Sequence, residues 1–300
     1  MGIIDSAVER LRRSTNAARS TNAARSANVA SIAPAAITEA PRKPVYPAKR
    51  IWLDLVRLRT AGYLPEEGQE LRFADYYRAI KRPIIQQALG VNAAADLRLI
   101  LVSSALPGEG KTFTSVNLAL SMAREHDISV LLVDADLSRR HLSCTLGAEK
   151  EPGLVDSLLD ETQDVESFIM RSYTRGLDFL PAGRPTAGTT ELIASARMAQ
   201  LASWLSTGNP RRLVLFDSAP LLVSSEARAL VQIPGQIILV ARAGRTPHQA
   251  LLNAIAHVDK KKLHGLVLND AYVGAGDGYY YGYGPYATRG NDTAGPVRSA

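Results

Sequence analysis

The stretch from Leu97 to Asp136, LRLILVSSALPGEGKTFTSVNLALSMAREHDISVLLVDAD, constrains the fold more than any other part of the chain. An apolar run, Leu99 to Val102, enters a Pro/Gly loop that opens directly into a helical pattern carrying Val116, Leu118, Leu120 and Met122. Strand, glycine loop and helix, in that order, form the context in which GxxxxGK[ST] holds phosphate. Gly108 and Gly110 lack a Cβ, so the backbone turns tightly there and aims several N–H groups at one point that also faces a helix N-terminus. Lys111 then reaches the β- and γ-phosphates, and the Thr112 hydroxyl is placed for Mg²⁺. The first glycine of the pattern falls on Ala105. A Gly/Pro turn before an ordinary helix is the competing reading, and the strands that follow argue against it.

In VLLVDAD, Val130 to Val133 read as a strand buried on both faces that delivers Asp134 and Asp136 to its C-terminal end, where open α/β sheets bind their ligands. In RLVLFDSAP, Leu213 to Phe216 deliver Asp217 in the same way. One aspartate after an apolar run often only caps the next helix. A phosphate loop with two carboxylate strands describes a Mg-nucleotide site.

From Asp96 to about Asp270, strand and helix patterns alternate, which predicts an α/β fold with a parallel sheet wrapped by helices on both faces. LVDSLL reads as a helix, LDFLPAG as a strand and TELIASARMAQLASWLS as one long helix. The strand LVLFD, the helix SSEARALVQI, the strand QIILVAR, the helix PHQALLNAIAHVDK and the strand GLVLND follow. Arg242 and Arg245 fall on the ligand side, either to touch phosphate or as plain surface. Asn269 closes a strand on that side and is a candidate contact for the base.

Upstream, Ile3, Ile4, Ala7, Val8 and Leu11 are spaced as one face of an amphipathic helix over residues 1–12, too short to be stable alone. The repeat RSTNAA RSTNAA RSANVA and the Pro-containing stretch after it read as a flexible, disordered linker over 13–50. Residues 51–95 read as an N-terminal helical segment. In it Phe73, Tyr77, Ile80, Ile84 and Ala88 line one face, Asp75, Arg78, Lys81 and Arg82 lie mostly elsewhere, and Pro83 should kink or end the helix. Residues 96–270 are the nucleotide-binding domain and 271–300 a flexible Tyr/Gly-rich tail. The tail holds Tyr272, Tyr279, Tyr280, Tyr281, Tyr283 and Tyr286 among glycines, with too few aliphatic residues for a core. It is either a strip of phosphate acceptors or a sticky aromatic segment.

Composition bounds the compartment. The chain is 46% hydrophobic and 21% charged, ordinary for a globular protein. Its net charge of +6 is concentrated at Arg10, Arg12, Arg13, Arg19, Arg25, Arg42, Lys43, Lys49 and Arg50, which either draw it to anionic lipid or an acidic partner or form a solvated tail. No nucleic-acid-reading motif accompanies the charge, so no nucleic acid partner is expected. The single cysteine, Cys144, excludes an intramolecular disulfide and suits a reducing compartment. No apolar run approaches the ~20 residues of a membrane span, and the N-terminus is too charged for a signal peptide. MGIIDS matches the myristoylation pattern MGxxxS, a pattern too short to count alone. These features predict a cytoplasmic protein.

PGEGKT, VLLVDAD and LVLFDSAP resemble the Walker A, A′ and B motifs of the bacterial tyrosine kinases, or BY-kinases, P-loop enzymes related to the MinD/ParA ATPases. The likeness covers most of the chain and extends to PGLVDSLL, LPAGRPTAGTTELIAS, LNDA and the tyrosine-rich tail. It is nearest the exosortase-associated (XrtA-type) exopolysaccharide autokinases, which carry an FRxIKRP-like segment and the phrase TSALPGEGKT. Ser138 stands where the family often has Arg, and Ala219 where it often has Pro. The resemblance implies a P-loop NTPase fold of the MinD/ParA-like type using ATP and Mg²⁺. By the resemblance, Pro107, Gly108, Glu109, Gly110, Lys111, Thr112 and Phe113, with Asn269, bind nucleotide. Thr112, Asp136 and Asp217 hold the metal, and Lys111, Asp134, Asp136 and Asp217 are catalytic. A tyrosine hydroxyl, with a pKa of about 10, needs a base or charge stabilisation, and Asp134 is expected to orient or deprotonate it.

The same resemblance implies autophosphorylation of Tyr279, Tyr280, Tyr281, Tyr283 and Tyr286, one protomer's tail entering its neighbour's site. DYYRAIKRPI is similar to the ExxRxxRxNI helix through which the family forms rings, with Asp75, Lys81 and Pro83 replacing Glu, Arg and Asn. A homo-oligomer contact through 70–90 therefore stands beside a charge-laced surface helix as a reading. Also implied are control of exopolysaccharide or capsule synthesis or export, a membrane-anchored polysaccharide co-polymerase as activator on a separate chain, and recruitment to the inner face of the plasma membrane. The alternative is a MinD/ParA-like ATPase acting as a dimerisation and positioning switch. Such proteins usually carry an extra lysine near the start of the loop, absent from SSALPGEGK. A non-catalytic nucleotide-binding adaptor is a third reading, opposed by intact Lys111, Thr112, Asp134 and Asp217.

Overall fold

Apolar residues alternate in sidedness along each strand of the central sheet, and the two sets of side chains build two separate cores. The computed structural model describes residues 49–160 and 162–271. The amphipathic helix over 1–12, the repeat, and the tail tyrosines from Tyr272 to Tyr286 lie outside the described residues.

Eight strands are described: β1 (Arg50–Ile51), β2 (Leu99–Ser104), β3 (Ser129–Ala135), β4 (Met170–Ser172), β5 (Leu177–Leu180), β6 (Arg212–Ser218), β7 (Gln236–Arg242) and β8 (Leu263–Asn269). They form one sheet in the order β1-β4-β5-β3-β6-β2-β7-β8. Every pairing is parallel except β4 with β5. The parallel sheet expected from the sequence thus carries one antiparallel pairing near its edge. Only residues 173–176 separate the two strands, enough for a hairpin but far short of the dozen or so residues a parallel crossover needs.

The helices are α1 (Leu55–Thr60), α2 (Glu70–Leu89), α3 (Lys111–Met122), α4 (His141–Thr145), α5 (Leu154–Leu159), α6 (Thr189–Ile193), α7 (Ala196–Thr207), α8 (Ser225–Leu230) and α9 (His248–Ile255). One face of the sheet offers Leu99, Leu101, Leu131, Val133, Val214, Phe216 and Leu239 to α5, α7, α8 and α9. The other offers Ile100, Val102, Val130, Leu132, Leu215 and Val240 to α1, α2, α3 and α4. This period of two is the expected signature of strands covered on both sides.

The segment 51–95 is part of the second core: Ile51, Leu53, Leu58, Tyr77, Ile84 and Ala88 are all buried in it. Three local expectations change. Arg50, expected in the linker, lies in β1, where the Arg171 N–H donates to the Lys49 carbonyl at 2.8 Å. Pro83 does not end its helix; α2 continues to Leu89 because Tyr77, Lys81, Ile84 and Ala88 anchor it before and after an exposed proline. The single helix expected over 190–206 is two, because Ser195 takes an extended backbone and its Oγ accepts the Met198 N–H as the N-cap of α7.

Lys81 is also displaced from its expected place. Its side chain is buried, and its ammonium donates to the Ser121 carbonyl at 2.7 Å and pairs with Glu125 at 2.7 Å. Asp75 and Arg78 pair with each other on the exposed side at 2.6 Å.

Candidate active site

Parallel strands place their C-terminal ends along one edge, and β2, β3, β6, β7 and β8 all deliver polar residues there. β2 leads into the loop 105–110. Ala105, in the position of the pattern's first glycine, is fully buried in the first core and outside the set of residues with positive φ. A methyl group therefore suits that position. Gly108 and Gly110 do adopt left-handed conformations, φ 79° and 96°, and a Cβ on Gly110 would lie 2.0 Å from the Asn269 amide nitrogen. Gly110 caps α3, whose first-turn amides, on Lys111, Thr112 and Phe113, have no intrahelical acceptor.

Lys111 is only 8% exposed, yet its ammonium makes no hydrogen bond or ion pair among the described residues. Burial pulls its pKa down, against the opposing pull of Asp217, Asp136 and Glu109. Asp217, at the end of β6, accepts the Ser115 hydroxyl at 2.9 Å, and the nearby Thr112 hydroxyl favours its charged form. Ser115 escaped the sequence reading, although it lies one helical turn beyond Lys111 on the same face.

Asp134 and Asp217 are register partners on β3 and β6, and both are shut off from solvent. Desolvation is the main cause that pushes Asp134 up to about 6 and Asp217 up to about 7, and the charge of Asp134 raises Asp217 further. Asp134 Oδ2 accepts both the N–H and the hydroxyl of Ser143, at 2.8 and 2.6 Å. The Ser143 oxygen in turn accepts the Ala182 N–H at 3.0 Å. Through Ser143 the fully buried Asp134 carboxylate staples β3 to α4 and to the loop after β5. No spacing in the sequence announced Ser143. Asp136 is the half-exposed member, with Oδ1 accepting the Arg139 N–H at 3.2 Å.

Two expected nucleotide contacts turn their side chains elsewhere. Phe113 packs edge-on against Phe73 of α2, centroids 5.6 Å apart, leaving only its main chain to the loop. The Glu109 carboxylate points inward, accepting the Leu106 N–H at 2.7 Å and the Thr246 hydroxyl. Asn269 donates to the Glu109 carbonyl at 3.1 Å. Arg242 binds Asp270 and approaches the Gly108 carbonyl at 3.4 Å, while Arg245 is exposed. Pro107 and Gly108 form the open rim. Orphan amides, an unpartnered buried ammonium and a hydroxyl–carboxylate pair at the same edge are the donor set that a Mg-nucleotide needs, so the residues present fit that ligand.

Known proteins share the sequence pattern and the fold. A family model described as an AAA domain matches residues 97–266. The tyrosine-protein kinase YwqD of Bacillus subtilis is 30% identical over 198 residues, covering 65% of this chain and 80% of that protein. The chain belongs to the bacterial tyrosine-kinase family of AAA-domain P-loop proteins. A second bacterial tyrosine-kinase relative, the putative tyrosine-protein kinase EpsB of Ralstonia solanacearum, is 31% identical over 192 residues, 63% of this chain but 25% of that protein. The chain thus matches about a quarter of such longer members. Among solved bacterial tyrosine-kinase structures, the VpsO kinase domain superposes with a TM-score of 0.57 at 29% identity, covering 69% of this chain and all of that one.

Proposed function

We propose that the chain is an ATP-dependent protein-tyrosine autokinase that phosphorylates its own cluster Tyr279, Tyr280, Tyr281, Tyr283 and Tyr286, one protomer's tail entering its neighbour's site. The observation that carries the reading is the buried Lys111 ammonium at the start of α3, which makes no hydrogen bond or ion pair among the described residues and whose charged form the carboxylates of Asp217 and Asp136 favour. Membership of the tyrosine-kinase family supports it.

Thr112 and Asp217, with Asp136 through water, are the residues to hold Mg²⁺, which when bound neutralises charge on the phosphate oxygens. The loop amides and Lys111 stabilise the negative charge of the group in transfer. The tyrosine oxygen forms a bond to the γ-phosphorus as the bond to the departing ADP oxygen breaks. The half-exposed Asp136 receives the phenolic proton, and buried Asp134 holds the strand end that carries Asp136. Asn269 supplies its side-chain amide oxygen toward the base.

The same reading gives the protein a role in exopolysaccharide or capsule synthesis or export, at the cytoplasmic face of a membrane that holds its activator. Among the described residues no helix is long and apolar enough to cross a membrane. A ring contact through 70–90 uses the exposed Asp75, Arg78 and Arg82, since Lys81 is engaged inside the protomer.

Mass spectrometry after incubation with Mg-ATP tests this for wild type, Lys111→Met and a variant with the tail tyrosines changed to Phe. Phosphotyrosine confined to Tyr279–Tyr286 and absent from Lys111→Met is the expected result. Steady ADP release without phosphotyrosine, even with a fragment of the membrane activator present, would replace the kinase by an ATPase switch.

A further inference from the structure

Glu109 sits between two glycines at the tip of the phosphate loop, where a side chain ordinarily faces solvent or ligand, yet it is only 3% exposed. One of its oxygens accepts the Leu106 N–H at 2.7 Å and the other accepts the Thr246 hydroxyl. The Thr246 oxygen itself accepts the Arg242 N–H at 2.7 Å. A continuous hydrogen-bonded chain therefore runs from the end of β7, through Thr246 and Glu109, to the entrance of the loop.

Two further bonds reach the loop from the same place. Asn269 donates to the Glu109 carbonyl at 3.1 Å, and Arg242 to the Gly108 carbonyl at 3.4 Å. Arg242 and Asn269 are themselves register partners on β7 and β8, and the Ala243 N–H donates to the Asn269 carbonyl at 2.9 Å. In a trans peptide the carbonyl of one residue and the N–H of the next point in opposite directions. Holding the Gly108 and Glu109 carbonyls against β7 and β8 therefore turns the N–H groups of Glu109 and Gly110 to the other side of the loop, toward the ligand. A loop with two left-handed glycines has wide conformational freedom, and fixing it beforehand removes an ordering cost from binding.

We propose that Thr246, acting through Glu109, is a positioning residue that presets the phosphate loop for a nucleoside diphosphate or triphosphate. The inference rests on the nucleotide-binding part of the function proposed above and not on the tyrosine chemistry. Removing the Thr246 hydroxyl leaves a buried carboxylate short of a donor, a loss that hydrogen bonds to charged groups make large, and the loop is then free to turn.

The test uses the full chain with Mg²⁺ and a fluorescent N-methylanthraniloyl-ADP, comparing Thr246→Val, Thr246→Ser, Glu109→Ala and the double variant Thr246→Val/Glu109→Ala. Thr246→Val is expected to weaken binding about tenfold, Thr246→Ser to bind as wild type, and the double variant to lose no more than Glu109→Ala alone. With ATP, Thr246→Val raises KM and leaves kcat within about twofold of wild type, a split that general destabilisation does not produce. Wild-type affinity in Thr246→Val, or additive losses in the double variant, would overturn the proposal. If Thr246→Val does not fold, Glu109→Ala carries the same comparison, and its wild-type affinity overturns it equally. Absence of phosphotyrosine with these affinity differences intact removes the kinase reading and leaves the positioning role standing.

Discussion

Asp134 and Asp217 are register partners on neighbouring strands, and both are buried. In an unfolded chain both titrate in the ordinary carboxylate range, about 4. In the fold, burial raises them to about 6 and about 7. Between about pH 4 and pH 7 the native protein therefore binds more protons than the unfolded chain, so its stability falls as pH rises through that window. The unliganded thermal midpoint should be higher near pH 5 than near pH 7.5, and Asp217→Asn should flatten the fall, as scanning fluorimetry across a pH series will show. Mg-nucleotide affinity should run the opposite way. Asp217 takes up a cation only as a carboxylate, so binding strengthens as pH rises through about 7, and that dependence is lost in Asp217→Asn. A midpoint indifferent to pH in the wild type would contradict the burial of this pair. At this scale the sequence placed Lys111, Thr112, Asp134 and Asp217 at the same edge of the sheet because each lies at the end or start of an element with an unambiguous apolar pattern. Thr246 stayed hidden because its partner lies 137 residues away, and Ser143, only 9 residues from Asp134, because no periodic spacing marks a loop-and-helix serine that folds back onto a strand end.

The helix α2 shows what a pattern of apolar residues leaves out. Tyr77, Ile84 and Ala88 are buried as their spacing predicts, but Lys81 joins them. Lysine has a long apolar stem that packs in a core while its charge seeks a polar exit, and here the exit is the C-terminal end of α3. The Ser121 carbonyl is one of the last four of α3, which lack intrahelical donors and carry the negative end of the helix dipole. Lys81 thus closes a neighbouring helix, a role invisible in any reading of α2 alone. Lys81→Met keeps the stem and removes the ammonium. It should cost about 2 kcal/mol, the range for hydrogen bonds to a charged group, and lower the melting midpoint by several degrees. Thermal melts of Lys81→Met and of the exposed Arg78→Met separate the two cases. The second should stay within about 0.5 kcal/mol of wild type, and an equal loss in both would show that Lys81 is not specially engaged. The broken helix at Ser195 has a related origin: its apolar run is continuous, and only the extended backbone at the cap divides it.

Across the whole molecule, the central strands were legible because β2, β3, β6 and β7 are continuous apolar runs that must be covered on both sides. The edge was not, because β1 and β4 have two and three residues and exist only through pairing with each other and with β5. That difference matters for where the folding unit begins. A boundary at residue 96 separates the nucleotide loop from everything before it, yet Ile51, Leu53, Leu58, Tyr77, Ile84 and Ala88 close the face formed by Ile100, Val102, Leu118 and Met122. Side-chain bonds stitch the same junction: Asn117 donates to the Tyr63 carbonyl at 2.9 Å and Gln236 to the Ile84 carbonyl at 3.1 Å. Burying a large apolar side chain is worth about 1.5–3 kcal/mol. Losing five such side chains together with Ala88 removes on the order of 10 kcal/mol, comparable with the entire stability of a domain, about 5–15 kcal/mol. A fragment of residues 96–271 should therefore bind a hydrophobic dye and melt without a cooperative transition, whereas residues 49–271 should melt cooperatively. Calorimetry of the two fragments decides it, and a sharp transition in the shorter one within a few degrees of the longer would mean that the second core closes without residues 49–95.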